Sequence, residues 1–218
     1  MTNTKARGPR LKPDAETLQK ENGYRKILEL DFSEMIPFVL ENIRLRGIIP
    51  FFYMTINALS LLFIIIYAVW SVRVGPLSAG KAFWQILAGV LAGSIAVIPP
   101  HEILHGLAYR ILGARKIRFG ADFQQFIFYV TADHFPISKR ELAFLAMTPF
   151  VLINMVIIAL TAAWASHITL FSASLLLSHN IMCIGDFAII SYAFSQKGTL
   201  YTFDDIGNKR SYFFKREG

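Results

Sequence analysis

The chain has 218 residues and a formal net charge of +7, and its composition is unusually apolar, with 54% hydrophobic and only 17% charged residues. Soluble domains carry roughly 25% charged residues. The apolar residues also cluster in blocks that lack charge altogether, for which the lipid bilayer is the natural solvent. We therefore exclude an ordinary soluble domain. Because Cys183 is the single cysteine, the chain also cannot form an internal disulfide or a cysteine-based metal cluster.

The first 46 residues precede any long apolar block. Residues 1–23 are polar, include Pro9 and Pro13, and lack the apolar core of a signal peptide, so we predict a flexible cytoplasmic tail. In residues 24–46, apolar side chains recur at helical spacing between charged ones. This pattern predicts an interfacial amphipathic helix that leads into the membrane.

Four apolar blocks follow, and each is long enough to cross roughly 30 Å of hydrocarbon. They cover residues 48–72, 82–112, 142–164 and 168–194. The Pro99-Pro100 pair predicts a kink in the second helix. The third and fourth blocks are separated only by Ala165-Ser166-His167, which predicts a helical hairpin. Residues 47–196 therefore form one predicted four-span membrane domain, and residues 197–218 form a second predicted cytoplasmic tail.

The connection between the second and third blocks has strand character. An aromatic-rich run from Phe126 to Val130 follows Ile117-Arg118-Phe119, and Gly120-Ala121-Asp122 lies between them as the predicted turn. Ser138 and Glu141 then have the capping-box spacing that begins a helix. The sequence thus predicts an all-α membrane protein with about four transmembrane helices and a small cytoplasmic β-hairpin between the second and third.

The basic residues are distributed unevenly along the chain. Of 22 Lys and Arg residues, 9 lie in residues 1–46, 6 in residues 110–140 and 5 in residues 197–218. With four spans these three segments share one face, and the opposite face carries only Arg73 and Lys81. The positive-inside rule then predicts a multi-pass protein with both termini cytoplasmic, which we expect in the plasma (inner) membrane of a prokaryote. The lipid bilayer is one expected partner, and nucleic acid is not, because the charges flank spans and form no separate basic domain.

The sharpest chemical motif is His101-Glu102-Ile103-Leu104-His105. Two histidines four residues apart project from the same face of a helix, so both imidazoles can reach one tetrahedral Zn²⁺, and the glutamate between them can take a proton from a metal-bound water. The motif lies within an apolar block, where ionisable groups are costly and need a partner. The alternative is a polar seam in which these side chains bond to each other and to the backbone near Pro99 and Pro100.

A catalytic zinc site normally has three protein ligands and one open position, so the motif needs a third ligand. Asp186 is the best candidate because it is the only acidic residue of the fourth block and lies at a depth similar to that of the motif. The alternative for Asp186 is a structural carboxylate that packs against Asn180 or Ser191. His179 and His134 are weaker candidates for the third ligand.

Two asparagines within the apolar blocks are candidates for substrate binding. Asn154 lies in the third block and Asn180 in the fourth, where each could hold a substrate backbone. The alternative for both is a hydrogen bond that joins two helices.

The motif, its apolar setting and the distant aspartate together resemble the site-2 protease class of intramembrane zinc metallopeptidases. More specifically, the chain resembles the small four-span family described as "putative zincin peptidase", whose function is unknown. The resemblance covers about residues 83–194, with the segment from His101 to Gly106 as its specific element and Gly185-Asp186 as its weaker one. The resemblance implies that the zinc ligands are His101, His105 and Asp186. It also implies that Glu102 is the catalytic glutamate. The short loop between the second and third blocks leaves no room for the PDZ-like domain that many site-2 proteases use.

The sequence therefore favours an integral-membrane zinc metallopeptidase. Its substrates would be membrane-embedded or membrane-adjacent peptides, with zinc as cofactor and Glu102 as general base. The alternative is a non-catalytic zinc-binding membrane scaffold or regulatory protein. A metal transporter is less favoured, because the spans contain no second cluster of ligands along a path. The sequence leaves the substrate and the oligomeric state open.

Overall fold

The computed structural model describes residues 12–20, 23–44, 47–122, 127–164 and 168–217, with the side chains of Asp122 and Ile127 left out. Most of the predicted N-terminal tail, the predicted turn at residues 165–167 and Phe126 lie outside these ranges. Within them, helices predominate and two antiparallel sheets accompany them.

Eight α-helices form most of the described structure. They are α1 (Ala15–Lys20), α2 (Met35–Asn42), α3 (Ile48–Arg73), α4 (Ala79–Leu91), α5 (Ile98–Ile111), α6 (Lys139–Trp164), α7 (Leu170–Met182) and α8 (Ile184–Ser195). A 3₁₀ turn, Phe32–Glu34, precedes α2, and a π-helical segment, Ala92–Ala96, joins α4 to α5. The predicted capping box begins α6, since the Ser138 N–H donates to Glu141 Oε2 at 2.7 Å and the Glu141 N–H donates to Ser138 Oγ at 3.4 Å.

Three helical segments are long and apolar enough to cross a membrane. They are Ile48–Arg73, Ala79–Ile111 and Lys139–Trp164, and the bent pair α7 and α8 makes a fourth if it counts as one broken span. These segments match the four predicted blocks. The sequence pattern did not predict the bend of 44° between α7 and α8. Cys183 alone separates the two helices, and no proline or glycine at that position marks the break.

The irregularity in the second span lies just before the predicted position. The π-helical segment Ala92–Ala96 interrupts the regular helix, and Pro99 and Pro100 then occupy the first turn of α5. Proline fits that turn because its missing N–H would have no intrahelical acceptor there. The prolines therefore begin the motif helix, while the local rearrangement lies one turn earlier.

A four-stranded antiparallel sheet contradicts part of the secondary structure predicted near the two ends of the chain. Its order is β1-β6-β5-β4, with strands Tyr24–Asp31 (β1), Ile137–Ser138 (β4), Leu200–Asp205 (β5) and Arg210–Arg216 (β6). The helix predicted over residues 24–46 is wrong for residues 24–31, which form β1, and in the described part of this segment only α2 is an α-helix as expected. The segment 197–218, predicted as a tail, contributes β5 and β6. An all-α class is therefore too narrow, and the pairing of β1 with β6 across nearly the whole chain is a contact that local spacing cannot reveal.

The predicted hairpin between the second and third spans is confirmed. Its strands are β2 (Ile117–Asp122) and β3 (Ile127–Ala132), paired antiparallel. The turn predicted at residues 120–122 is wrong, because these residues belong to β2 and face β3. Gly120 lies directly beneath the ring of Tyr129, where a Cβ would meet ring carbon Cζ at 2.3 Å. The glycine thus provides room for an aromatic ring and does not turn the chain.

Helix α5 lies between α6, the hairpin and the four-stranded sheet. Ala108 and Tyr109 of α5 pack into one buried cluster with Val130 of β3, Leu145 of α6 and Phe213 of β6. Burial of such side chains is worth about 1.5–3 kcal/mol each for the larger aliphatic and aromatic ones. This cluster fixes the position of the motif helix relative to the strands.

Helices α4 and α7 approach each other closely at glycine residues. A Cβ on Gly89 would lie 2.4 Å from the carbonyl oxygen of Phe171 and 2.9 Å from Ser174 Cβ. A Cβ on Gly93 would lie 2.6 Å from Ser178 Cβ. Small residues at these positions allow the two backbones to pack in contact.

We expect Gly89→Ala to lower thermal stability, because the added methyl group forces α4 away from the backbone of α7, at a cost of about 1–3 kcal/mol. The measurement is thermal unfolding of the full chain in mild detergent. Gly80→Ala is the matched control, since nothing lies within 4 Å of a Cβ at that position of the same helix. Equal stability of the parent and the Gly89 variant would contradict the close approach.

Candidate metal centre

The two motif histidines lie together on the buried face of α5. His101 is 5% exposed and His105 is 8% exposed, and their Nε2 atoms are 3.1 Å apart. The four-residue spacing places them one turn apart, and both rings turn the same nitrogen toward the same space. Two imidazole nitrogens at this distance share at most one proton, so at least one lone pair points into the gap.

Helix α8 supplies the third group. Asp186, in its first turn, lies with Oδ2 at 3.3 Å from His101 Nε2 and Oδ1 at 3.3 Å from His105 Nε2. The structure therefore brings together the three residues that the sequence selected as metal ligands. One ligand atom from each lies within 4.8 Å of the others.

The donor set and its spacing fit a zinc ion. Zinc–nitrogen and zinc–oxygen bonds of about 2.0–2.1 Å in a tetrahedron separate neighbouring ligand atoms by roughly 3.3 Å. The separations here are 3.1, 3.3 and 3.3 Å. Two neutral imidazoles and one carboxylate are also ligands that zinc prefers, and three of them leave one tetrahedral position for water or substrate.

Each histidine has a second contact that orients its ring. His105 Nδ1 lies 3.2 Å from the carbonyl oxygen of Leu145, so Nδ1–H donates there and Nε2 keeps its lone pair. His101 Nδ1 lies 3.4 Å from His179 Nε2. His179 thus contacts the nitrogen of His101 that faces away from Asp186. His179 therefore supports the candidate ligand His101. The sequence alone makes His179 a weaker candidate for a ligand.

A second group of ligand-type atoms shares His101 and comprises His101, His179 and Cys183. Cys183 Sγ lies 3.7 Å from His179 Nε2, and both residues are fully buried. The set with His105 and Asp186 is the better candidate, because all three of its members line an open cavity, whereas His179 and Cys183 do not.

Glu102 lines the same cavity next to the histidines. Its Oε2 atom is buried and has no hydrogen-bond partner among the described residues. A buried carboxylate oxygen without a donor is costly, which indicates that it serves a group absent from the protein itself. A water or substrate in the cavity is such a group.

The remaining sequence candidates lie elsewhere. His134 is on the sheet side, where Nδ1 is 3.0 Å from Asp133 Oδ1 and Nε2 is 3.6 Å from Asp205 Oδ2, and it does not line the cavity. Asn154 Nδ2 donates to Asn180 Oδ1 at 2.8 Å, and neither asparagine lines the cavity. The geometry thus corrects the predicted substrate contacts and favours a bond that joins α6 to α7.

The cavity has a volume of about 800 Å³, with walls from helices α2, α5, α6 and α8 and strands β3, β4, β5 and β6. Its lining is mostly apolar. Sequence reasoning missed seven polar residues on its wall: Ser94, Tyr109, Tyr129, Thr131, Thr202, Asp204 and Ser211. Tyr109 continues the four-residue spacing of the motif, which could have identified it. Asp204 and Ser211 lie opposite each other on β5 and β6, so only the strand pairing brings them to the site.

Comparison with known proteins gave one family. No curated protein and no solved structure matched the chain. The model of the family described as "Putative zincin peptidase" matches residues 94–201. That range begins in the π-helical segment before α5 and ends in β5, so it contains both motif histidines, Glu102 and Asp186. The resemblance to the family described as "Putative zincin peptidase" is therefore confirmed, and the segment that carries the candidate metal centre is the one that the family model matches.

Proposed function

We propose that the protein is an integral-membrane zinc metallopeptidase that hydrolyses peptide bonds of membrane-embedded or membrane-adjacent substrates. One observation carries the proposal. Three ligand atoms, from His101, His105 and Asp186, converge at 3.1–3.3 Å on the wall of a cavity, which Glu102 also lines with a carboxylate oxygen that has no partner among the described residues.

The residues of the site divide the chemistry between them. When bound, zinc supplies Lewis-acid polarisation of a water molecule and of the scissile carbonyl. Glu102 accepts the proton of that water and passes it to the leaving amine. The carbonyl oxygen of Leu145 and the ring of His179 hold the two histidines in orientation, which preserves the lone pairs that face the cavity.

Strand β3 is a candidate platform for an extended substrate. Tyr129, Val130 and Thr131 of β3 line the cavity, and among the described strands only β2 forms a ladder with β3. An unpaired strand edge is a template for an extended peptide. A substrate segment unwound from a helix would gain backbone hydrogen bonds there while its scissile bond reaches Glu102.

A location in the membrane agrees with the helices. Three or four segments have the length and hydropathy of membrane spans, and large apolar side chains on α3, such as Ile48, Phe51 and Leu59, are exposed. Exposed apolar surface of this extent is costly in water and normal in lipid. We retain the plasma (inner) membrane of a prokaryote, with both termini cytoplasmic, as the proposed location.

The alternative function is a zinc-binding scaffold or regulatory protein without catalysis. Such a protein needs the three ligands but has no use for an open cavity beside them, or for a Glu102 whose Oε2 atom has no partner among the described residues. Both features therefore favour the enzyme.

We expect one zinc per chain in protein purified in mild detergent. His105→Ala and Asp186→Ala should each lose the metal, because two ligands do not retain zinc against a chelator. Elemental analysis of the purified variants measures the stoichiometry. His134→Ala is the control, since this histidine lies outside the cavity in a separate group of ligand-type side chains with Asp133 and Asp205. It should keep the zinc that His101, His105 and Asp186 hold. A folded parent without zinc would contradict the metal centre.

Glu102→Gln should keep one zinc per chain and lose cleavage by at least about 100-fold, because the amide cannot accept the proton of the attacking water. Mass spectrometry of a pool of transmembrane peptides incubated with parent or variant detects the products. Cleavage by the variant at the parent rate would overturn the role of Glu102 as general base.

His179→Leu should weaken zinc binding by about tenfold or more, because His101 loses the partner of its Nδ1 atom. His179→Gln offers a carbonyl oxygen in place of the ring nitrogen and should retain more of the affinity. Competition with a chelator measures both. Identical affinities for the leucine and glutamine variants would show that His179 only fills space.

A further inference from the structure

The cavity has a second polar region, which we call the acidic end and define by Tyr109, Thr131, Asp204 and Ser211. Asp204 and Ser211 face each other across β5 and β6, and Ser211 Oγ donates to Asp204 Oδ1 at 2.5 Å. Tyr109, on α5, also interacts electrostatically with the Asp204 carboxylate. The acidic end therefore connects the motif helix to the sheet.

The acidic end carries a charge that the described protein does not neutralise. None of the residues that line the cavity is a lysine or an arginine, although the whole chain has 22 of them and a net charge of +7. Among the described residues, no lysine or arginine forms an ion pair with Asp204. Glu102 and Asp186 are the other lining carboxylates, and both belong to the metal centre.

Thr131 provides an independent observation. Its side chain is 5% exposed and lines the cavity, yet its hydroxyl oxygen has no hydrogen-bond partner among the described residues. Thr131 lies two residues before Asp133, which forms a bridge with Asp204. A buried hydroxyl that has no partner among the described residues keeps lone pairs that can accept an N–H from a group in the cavity.

The acidic end and the candidate metal centre share one cavity and one helix. Tyr109 follows His105 by four residues on the same face of α5, and both residues line the cavity. A substrate bound in the cavity could therefore contact the acidic end while another of its residues presents the bond that reaches Glu102.

We infer that the acidic end is a specificity subsite for a cationic nitrogen group of the substrate, either a lysine or arginine side chain or a free amine. The inference deepens the proposed function and rests on it for the position of the cleaved bond. Asp204 would provide the charge, and Thr131 would accept a further N–H from the same group.

The ionisation of Asp204 agrees with this role. Burial raises the pKa of Asp204 to about 6, while the hydrogen bonds from Ser211 and Tyr109 act in the opposite direction. The carboxylate is therefore mostly ionised at pH 7. It keeps a charge that a bound cation would neutralise.

The test is a binding measurement that does not need catalysis. The probes are pairs of C-terminally labelled, N-acetylated decapeptides. The two peptides of a pair differ in one residue, which is lysine in one and norleucine in the other. Successive pairs place this residue at successive positions of the peptide. Fluorescence anisotropy with zinc-loaded Glu102→Gln full-length protein in detergent measures their affinities. We expect the lysine probe to bind about tenfold more tightly at its best position, in line with a charge-assisted hydrogen bond to a buried carboxylate.

Asp204→Asn in the same protein should abolish this preference. The asparagine is isosteric and can still accept from Ser211 and Tyr109, so the sheet should fold. Glu16→Gln is the charge-matched control, because it removes one negative charge from exposed α1, and it should keep the preference. Thr131→Val should reduce the preference several-fold at unchanged thermal stability, since its hydroxyl has no partner to lose.

The outcomes separate the two proposals and the two sources of the cation. A preference for free over acetylated amino termini, lost in Asp204→Asn, would assign the subsite to a terminal amine, whereas a preference for internal lysine assigns it to a side chain. If binding depends on lysine but the parent protein, with Glu102 intact, cleaves no peptide, the subsite is supported and the peptidase is rejected. The absence of any cation preference, or one unchanged in Asp204→Asn, would overturn the subsite and leave the peptidase standing.

Discussion

The convergence of three lone-pair donors in a buried space is the constraint on which the rest of the site depends. His101, His105 and Asp186 place their ligand atoms 3.1–3.3 Å apart, and both histidines are buried. Lone pairs that face each other at this distance repel, and a bound cation or a shared proton relieves the repulsion. Three features hold these ligand atoms in place. They are helix α5, the start of α8 and the contacts behind both histidines.

The part of the site that local spacing encodes could be predicted from the sequence. The histidines and Glu102 follow from a four-residue repeat on one helix, and Asp186 follows from being the single acidic residue in an apolar block. Their roles in binding and catalysis remain predictions, but their proximity is evident in the structure. The sequence leaves His179 as a candidate ligand, because separation along the chain does not show that His179 faces the Nδ1 atom of His101.

The strands at the two ends of the described chain could not be predicted in the same way. Residues 24–31 have apolar side chains at spacings compatible with a helix, and only their pairing with β6 makes them a strand. Asp204 and Ser211 were passed over because they lie in a polar segment with no motif, and the cavity wall they form exists only through non-local pairing. The bend at Cys183 was missed because no helix-breaking residue occupies that position.

The position of β5 and β6 at the end of the described chain has a consequence for biosynthesis. Among the described residues, every helix long enough to cross a membrane precedes Leu200, whereas the wall that carries Asp204 and Ser211 follows it. A chain emerging from the ribosome thus exposes His101, His105 and Asp186 first and the final wall of the cavity last. During translation these three residues lie beside an unfinished cavity, which is complete only when β6 pairs with β1 and β5.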